Sequence, residues 1–367
     1  MVRISRPKST FRPLTSSNQG WVGIPQGSWV IQPESTPRAE ALPGVIKPNV
    51  TNTGVTSSRA RKVHMGDLTL TNPNQVYRDI DFYGKVHPSA SGLKFYNCGF
   101  YGSTAWPTAS TSLVDCRVGT EGSVTDIDPW LGVPYFEDCT FMPQRPSYYT
   151  DGIVGAYSLN RCKFLKNRVG AVINSTANSR PVRARVINSY FADLAYWRPL
   201  PGVATGTVNY GVDILAGGHV YVAGNLLQAS AVLGDDRNFP DADGLSYPSG
   251  QMSARHPSFP DHMSQNGTHA PGAGLRVTQT RTLPLDNKMV IEKNWFAQGM
   301  AGAELAQGTY TFRDNLFKRD SMYLRTTGIR YYIRLMFTTT ATIVGLGTNK
   351  FEDNGEILTA QNRGLQS

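Results

Sequence analysis

Apolar residues in this chain fall in short clusters, such as Tyr135-Phe136, Val186-Ile187 and Val290-Ile291, each followed within a few residues by a closing apolar residue, usually phenylalanine. None has the 3.6-residue spacing of a helix face, so each predicts a short strand. Aligned on the closing residue, the clusters become copies of one pattern. The early copies are Asp79-Ile80-Asp81-Phe82, Asn97-Cys98-Gly99-Phe100, Asp115-Cys116-Arg117-Val118, Asp138-Cys139-Thr140-Phe141 and Arg161-Cys162-Lys163-Phe164. The later ones are Asn188-Ser189-Tyr190-Phe191, Gly224-Asn225-Leu226-Leu227, Lys293-Asn294-Trp295-Phe296, Asp314-Asn315-Leu316-Phe317 and Thr348-Asn349-Lys350-Phe351. The first three copies are 18 residues apart and the next two follow at 23, a period that signals stacked repeats.

The second position of each copy sharpens the prediction. All four cysteines, Cys98, Cys116, Cys139 and Cys162, fall there, followed by Ser189 and then Asn225, Asn294, Asn315 and Asn349. In a solenoid each such residue lies directly above its copy, so small side chains pack in a column and asparagines bond their neighbours above and below. The cysteines read as small buried hydrophobes, with disulfides between stacked thiols left open. The fold expected is all-β: a right-handed parallel β-helix of about ten coils stacked ~4.8 Å apart, with an extended N-terminal arm and a lateral loop insertion.

Composition agrees and adds the arm. Of 367 residues 40% are hydrophobic and 17% charged, with 36 Gly and 23 Pro to make turns, an all-β profile. No apolar run is long enough to span a membrane, and the chain opens without the apolar core of a secretory signal. The net charge of +9 is concentrated in residues 1–62, where nine Lys or Arg face only Glu34 and Glu40. This Pro- and Ser-rich stretch predicts an attachment arm, with Arg3, Arg6, Arg12, Trp21 and Trp29 as its partner-binding residues; nucleic acid is not the expected partner, because no recognition motif accompanies the charge. Residues 63–355 form the solenoid, interrupted by an insertion at about 231–271, and 356–367 form a polar tail. That tail is short, so the open end of the solenoid is expected to be covered by a partner.

A resemblance enters at residues 44–102. Asn52-Thr53-Gly54-Val55, then Leu68-Thr69-Leu70, then Asp79-Ile80-Asp81-Phe82 and the Asn97–Phe100 copy resemble the opening of right-handed β-helix proteins identified as minor tail proteins of phages that infect actinobacteria, and also related carbohydrate-active β-helix proteins. The likeness covers roughly residues 44–230. It implies a virion location at the tail, other phage tail proteins as partners, a host cell-surface glycan within reach, and a trimer as one assembly, although no coiled-coil segment here enforces a threefold. Further on, the family has Thr-His-Asn-Asp-Gly-Ile-Gln-Ile-Gln-Gly-Gly where this chain has Thr207-Val208-Asn209-Tyr210-Gly211-Val212-Asp213-Ile214-Leu215-Ala216-Gly217-Gly218. The titrating His and Asp of that motif become Val208 and Tyr210.

Candidate chemistry is sparse. A glycan-degrading enzyme needs two carboxyl groups a set distance apart, and the candidates are Asp126 and Asp128, with Asp151 and Asp213; the plainer reading of Asp128-Pro129 is a turn. Tyr148, Tyr149, Trp197 and Tyr210 are candidates for stacking on sugar rings. In the insertion Asp235, Asp236, Asp241, Asp243, His256, Asp261 and His262 have acid/base or hard-cation chemistry, but at no defined metal spacing, and an ordinary solvated loop is the favoured reading of them. No cofactor motif is present. The sequence therefore points to a structural minor tail protein, with a glycan-binding or glycan-degrading protein as the alternative.

Overall fold

The computed structural model describes residues 21–22, 46–56, 60–105, 107, 110–117, 130, 132–145, 149–174, 182–196, 209–215, 218–229, 231–233, 272–278, 288–297, 299, 301–306, 309–319, 332–336, 342–362, 364 and 365. Among them the regular elements are β-strands, apart from a 3-10 turn at Leu346–Thr348.

Three long sheets run the length of the molecule. Sheet A runs from Lys62–Met65 to Lys350–Phe351, sheet B from Leu68–Leu70 to Ile333–Leu335, and sheet C from Val76–Arg78 to Thr342–Val344. The chain visits them in turn. Val76–Arg78, Ile80–Tyr83 and Val86–Pro88 make one coil; Lys94–Tyr96, Gly99–Phe100 and Thr111–Cys116 make the next, each strand pairing in parallel with its counterpart one coil earlier. This is the expected parallel β-helix, with the right-handed sense that β–crossover–β connections take almost without exception.

The repeated motif is the corner between sheets C and A. Asp79, Asn97, Asp138, Arg161, Asn188, Gly224, Lys293 and Asp314 all sit there at φ between 50° and 66°, a left-handed conformation that Gly, Asn and Asp tolerate best. The turn throws the next side chain inward. Ile80, Cys98, Cys139, Cys162, Ser189, Asn225, Asn294, Asn315 and Asn349 form that inward column, each 0% exposed. Along its upper half every asparagine is a link: Asn225 donates its backbone N–H (3.1 Å) and Nδ2 (2.9 Å) to Asn294 Oδ1, Asn294 does the same to Asn315 Oδ1 (3.0 and 3.0 Å), and Asn315 to Asn349 Oδ1 (3.1 and 2.9 Å). Ser189 joins the two halves. Its N–H donates to Asn225 Oδ1, and its Oγ accepts from the Cys162 N–H.

Cys116 is not in this column, contrary to its sequence alignment. It ends the sheet B strand Thr111–Cys116 and stands opposite Gly155. The four-residue motif matched by chance there: Cys98 and Cys139 are successive members of the column, 41 residues apart, because this coil carries long excursions on either side of its sheet B strand. The column thus holds three cysteines. All four thiols are free and buried, and burial pushes Cys116 and Cys139 well above the ordinary thiol range. Thiolate is the reactive form, so the native protein is expected to be inert to a thiol reagent such as dithionitrobenzoate and to release four equivalents only in denaturant; rapid labelling without denaturant would contradict this packing.

Phenylalanines form a second column. Phe82, Phe100, Phe141, Phe164 and Phe191 stack with ring centroids 4.4–5.0 Å apart; Leu227 follows in register, then Phe296, Phe317 and Phe351. Burying each ring contributes about 2–3 kcal/mol. Space for them comes from glycines at the start of the sheet B strands: Gly152, Gly170, Gly211, Gly274 and Gly302. A Cβ at Gly170 would lie 2.5 Å from Phe191 Cδ1, and one at Gly302 2.5 Å from Phe317 Cε1.

The chain's own segments close the solenoid. Trp21–Val22 pairs antiparallel with Val63 and His64 at the first coil. At the far end residues 352–365 fold back, with Leu358 buried, its N–H on Asn349 O, and Leu365 bridged to Ile333. The tail is therefore not purely polar: Leu358 and Leu365 pack against the core at that end, while Val344 and Ile357 stay exposed. The last strands, Ile333–Leu335 and Thr342–Val344, are short. Residues 46–56 lie along the outside, with Thr56 N donating to Asn97 Oδ1 (2.8 Å), Val55 N to Thr140 Oγ1 (2.9 Å), Gly54 N to Arg161 O (2.8 Å), Lys163 Nζ to Val50 O (3.1 Å), and Lys47 paired with Glu352. This part of the basic segment is bound lengthwise to the solenoid. The rest of the arm, apart from the Trp21–Val22 strand and residues 60–62, and residues 234–271 of the insertion lie outside the described residues.

Candidate functional site

One set of charged side chains lies along sheet B, where strand register decides which meet. Asp213, Arg276, Glu304 and Arg334 occupy one register position on four successive coils, so opposite charges alternate along the axis at the coil spacing. Arg276 grips Asp213 with Nε at 2.9 Å and Nη2 at 2.5 Å. Arg334 holds Glu304 at 2.9 Å. Tyr210 ties the pairs together: its OH donates to Glu304 Oε2 (3.2 Å) and accepts from Arg276 Nη1 (3.1 Å), while the guanidinium lies 4.0 Å above its ring centroid. Burial opposes the charge on Arg276, yet Asp213 holds its pKa above the ordinary value.

A second cluster lies nearer the N-terminal end. Arg168 binds both oxygens of Asp151 (2.9 and 2.8 Å); burial raises the Asp151 pKa and Arg168 only partly offsets it. Asp115 accepts from Arg117 (2.8 and 2.6 Å) and from Lys85 (3.2 Å), which together outweigh burial and hold it below the usual carboxylate range.

Of the carboxylate candidates, Asp151 and Asp213 are thus each clasped by an arginine through both oxygens. Register places them two coils and three residues apart, a Cα separation on the order of 14 Å from standard strand dimensions, in different columns. Each is committed to an ion pair, and the charge of Asp213 adds to burial in raising the Asp151 pKa. Of the aromatic candidates, Tyr210 is 4% exposed and its ring is covered by Arg276, so it presents no open face; Tyr149 is half-buried beside the strand Thr150–Gly155. Asp126, Asp128, Tyr148, Trp197, the insertion's Asp and His residues, Arg3, Arg6, Arg12, Trp29 and the side chain of Trp21 lie outside the described residues. Among the described residues no group of three His, Cys, Asp or Glu is placed to hold a metal ion, and no helix is long and apolar enough to cross a membrane.

Comparison with known proteins adds no relative: no family model, no curated protein and no solved structure matches this chain. The site must be read from its own geometry.

What sequence reasoning missed is the alternation on sheet B. Arg276 and Arg334 carry no motif, and only the pairing across coils reveals their partners. The signal available was weak: Val212-Asp213-Ile214, Leu275-Arg276-Val277 and Ala303-Glu304-Leu305 each place one charge between two apolar residues.

Buried phenols provide a pH test. Burial raises Tyr77, Tyr135, Tyr210, Tyr221 and Tyr310 above their ordinary value, and Tyr101 is pushed up to about 12 by burial and by Asp81. A phenol whose folded pKa exceeds its unfolded value of about 10 contributes stability that is complete below that pH and lost as pH rises through the folded pKa. Stability is expected to fall from about pH 10 upward, and these six of the 17 tyrosines are expected to gain tyrosinate absorbance only together with loss of the β-sheet circular dichroism. Complete tyrosine ionisation before that loss would contradict the burial.

Proposed function

We propose that this chain is a structural virion protein of a tailed phage, a minor tail protein docked to other tail proteins through its N-terminal arm, with the host envelope as its outward contact. The observation that carries this reading is the sheet B face, where acidic and basic side chains are committed to one another from coil to coil instead of being presented to a substrate. A solenoid with these charged groups paired to one another and its tail folded back on the last coil suits a scaffold that holds position. Many functions use this fold, and the phage attribution rests on the resemblance over residues 44–230.

The test mixes purified tails with the full chain and with an Arg3→Gln, Arg6→Gln, Arg12→Gln variant, and follows co-sedimentation alongside sugar release from host envelope. The expected result is binding by the full chain, weakened in the variant, without released sugar. Sugar release retained by the variant would overturn the structural reading in favour of a glycan-degrading enzyme.

A further inference from the structure

The phenylalanine column does not begin with a phenylalanine. His64 precedes Phe82 in register on the first coil of sheet A, at the inward position that every later strand of that sheet fills with Phe or Leu. Its ring stands against Phe82 with centroids 6.1 Å apart and is 0% exposed, whereas the other described histidines, His87 and His219, are half-buried. The strand that carries it, Lys62–Met65, is also where the arm meets the solenoid. On one side it pairs with Ile80–Tyr83, and on the other its Val63 and His64 pair antiparallel with Trp21–Val22.

A neutral imidazole fits this position and an imidazolium does not, because its charge would be carried out of water into a stack of apolar rings. The described charged groups on the elements packed against it are exposed or already paired. Lys62, on its own strand, is exposed; Asp67, just beyond that strand, is exposed too, and its pull toward the charged ring is outweighed by burial. On the next strand Asp81 is held by Arg61 Nε (2.9 Å) and Tyr83 stacks on Tyr101. Lys85 spends its Nζ on Asp115 (3.2 Å), while its N–H donates to Asp67 Oδ1 (2.8 Å). On sheet C of the same coil Arg78 lies over the Tyr96 ring, and the buried Tyr77 donates its OH to Gln75 (2.6 Å). The Trp21–Val22 strand brings no titratable side chain.

We propose that His64 is an acid-sensitive latch for the N-terminal arm: neutral, it completes the aromatic column and holds Lys62–Met65 in place for Trp21–Val22 to pair with; protonated, it leaves the column and the first coil releases that strand. The sign follows from burial, which lowers the His64 pKa in the closed state. Its contribution is complete above the open-state pKa of about 6.5 and is lost as pH falls below it. The latch concerns the chain alone, whatever the arm binds, so it stands or falls apart from the tail assignment.

The experiment is hydrogen–deuterium exchange of the full chain from about pH 7.5 to about pH 4.5, corrected for intrinsic rates, on peptides that cover residues 21–22 and 62–65, with the mid-solenoid strand Tyr157–Asn160 as internal reference. The expected result is a loss of protection in both segments of up to about tenfold per pH unit below about 6.5, the slope of an opening coupled to one proton, while Tyr157–Asn160 stays protected. His64→Phe continues the column and is expected to keep both segments protected over the whole range. If that variant does not fold, His64→Leu, with the side chain that Leu227 places at the same register position, takes its role. Protection independent of pH in the natural sequence, acid release retained in the folded variant, or simultaneous loss of protection at Tyr157–Asn160 would overturn the latch.

Discussion

Replacing Asn294 by alanine is expected to lower the unfolding free energy by about 4 kcal/mol. Asn294 is 0% exposed and sits mid-column. Its Oδ1 accepts from the N–H and Nδ2 of Asn225, and its Nδ2 donates to Asn315 Oδ1 and to Val222 O (3.0 Å each). Alanine fills none of these roles and leaves buried partners on both neighbouring coils unsatisfied, at about 1–3 kcal/mol each. Asn294→Asp is the sharper comparison. It keeps the acceptor but loses the Nδ2 donor and brings a charge into a site with no cation, so it is expected to be at least as destabilising at neutral pH and to recover partly in acid as the carboxyl protonates. Asn294→Cys should fall between wild type and alanine, because in the first coils Cys139 fills the same position with its Sγ near Phe95 O (3.5 Å) and Glu137 O (3.3 Å). Denaturant unfolding followed by circular dichroism measures all three. A loss under about 1 kcal/mol for the alanine variant would mean that the column is replaceable packing and not a hydrogen-bonded spine.

Gly170→Ala is expected to cost about 3 kcal/mol, at the upper end of what overpacking does. Its new Cβ would lie 2.5 Å from Phe191 Cδ1 and 2.7 Å from Gly211 O. A side chain can turn away from the first contact, but the second is backbone and fixed by the strand register. The double variant Gly170→Ala, Phe191→Leu should therefore recover only part of the loss. The chain supplies its own precedent at Gly211, where the facing residue is Leu227 and a Cβ would meet Leu227 Cδ2 at 3.4 Å but Gly274 O still at 2.6 Å. A double-mutant cycle separates the two contributions. Full rescue by Phe191→Leu would show that ring crowding alone maintains the glycine column.

These two columns show how the sequence encodes the fold. The closing phenylalanines and the asparagines ahead of them are local, repeated and rich in residues of narrow use, so they were legible without coordinates. The C-to-A corner gives the reason: a left-handed residue, an inward small polar residue and a strand ending in an aromatic ring are all specified within four positions. The error at Cys116 has the same origin. Asp115-Cys116-Arg117-Val118 meets the composition of the motif, and no local feature distinguishes the end of a sheet B strand from a corner when the intervening loops vary in length.

The candidate site was far less legible, because its geometry depends on which coil lies above which. Asp213 and Arg276 are 63 residues apart and in direct register, and nothing between them in sequence indicates it. By itself the sequence determined the repeating unit, the all-β solenoid and the concentration of positive charge in residues 1–62, since strand pattern, turn chemistry and charge are properties of contiguous residues. The tertiary structure alone decided that Asp151 and Asp213 are spent in ion pairs, that Tyr210 lies beneath an arginine, that the tail folds back on the last coil and that residues 46–56 bind along the solenoid. Stacking brings together residues tens or hundreds of positions apart, and their contacts follow from register summed over every loop between them, a quantity no local pattern records.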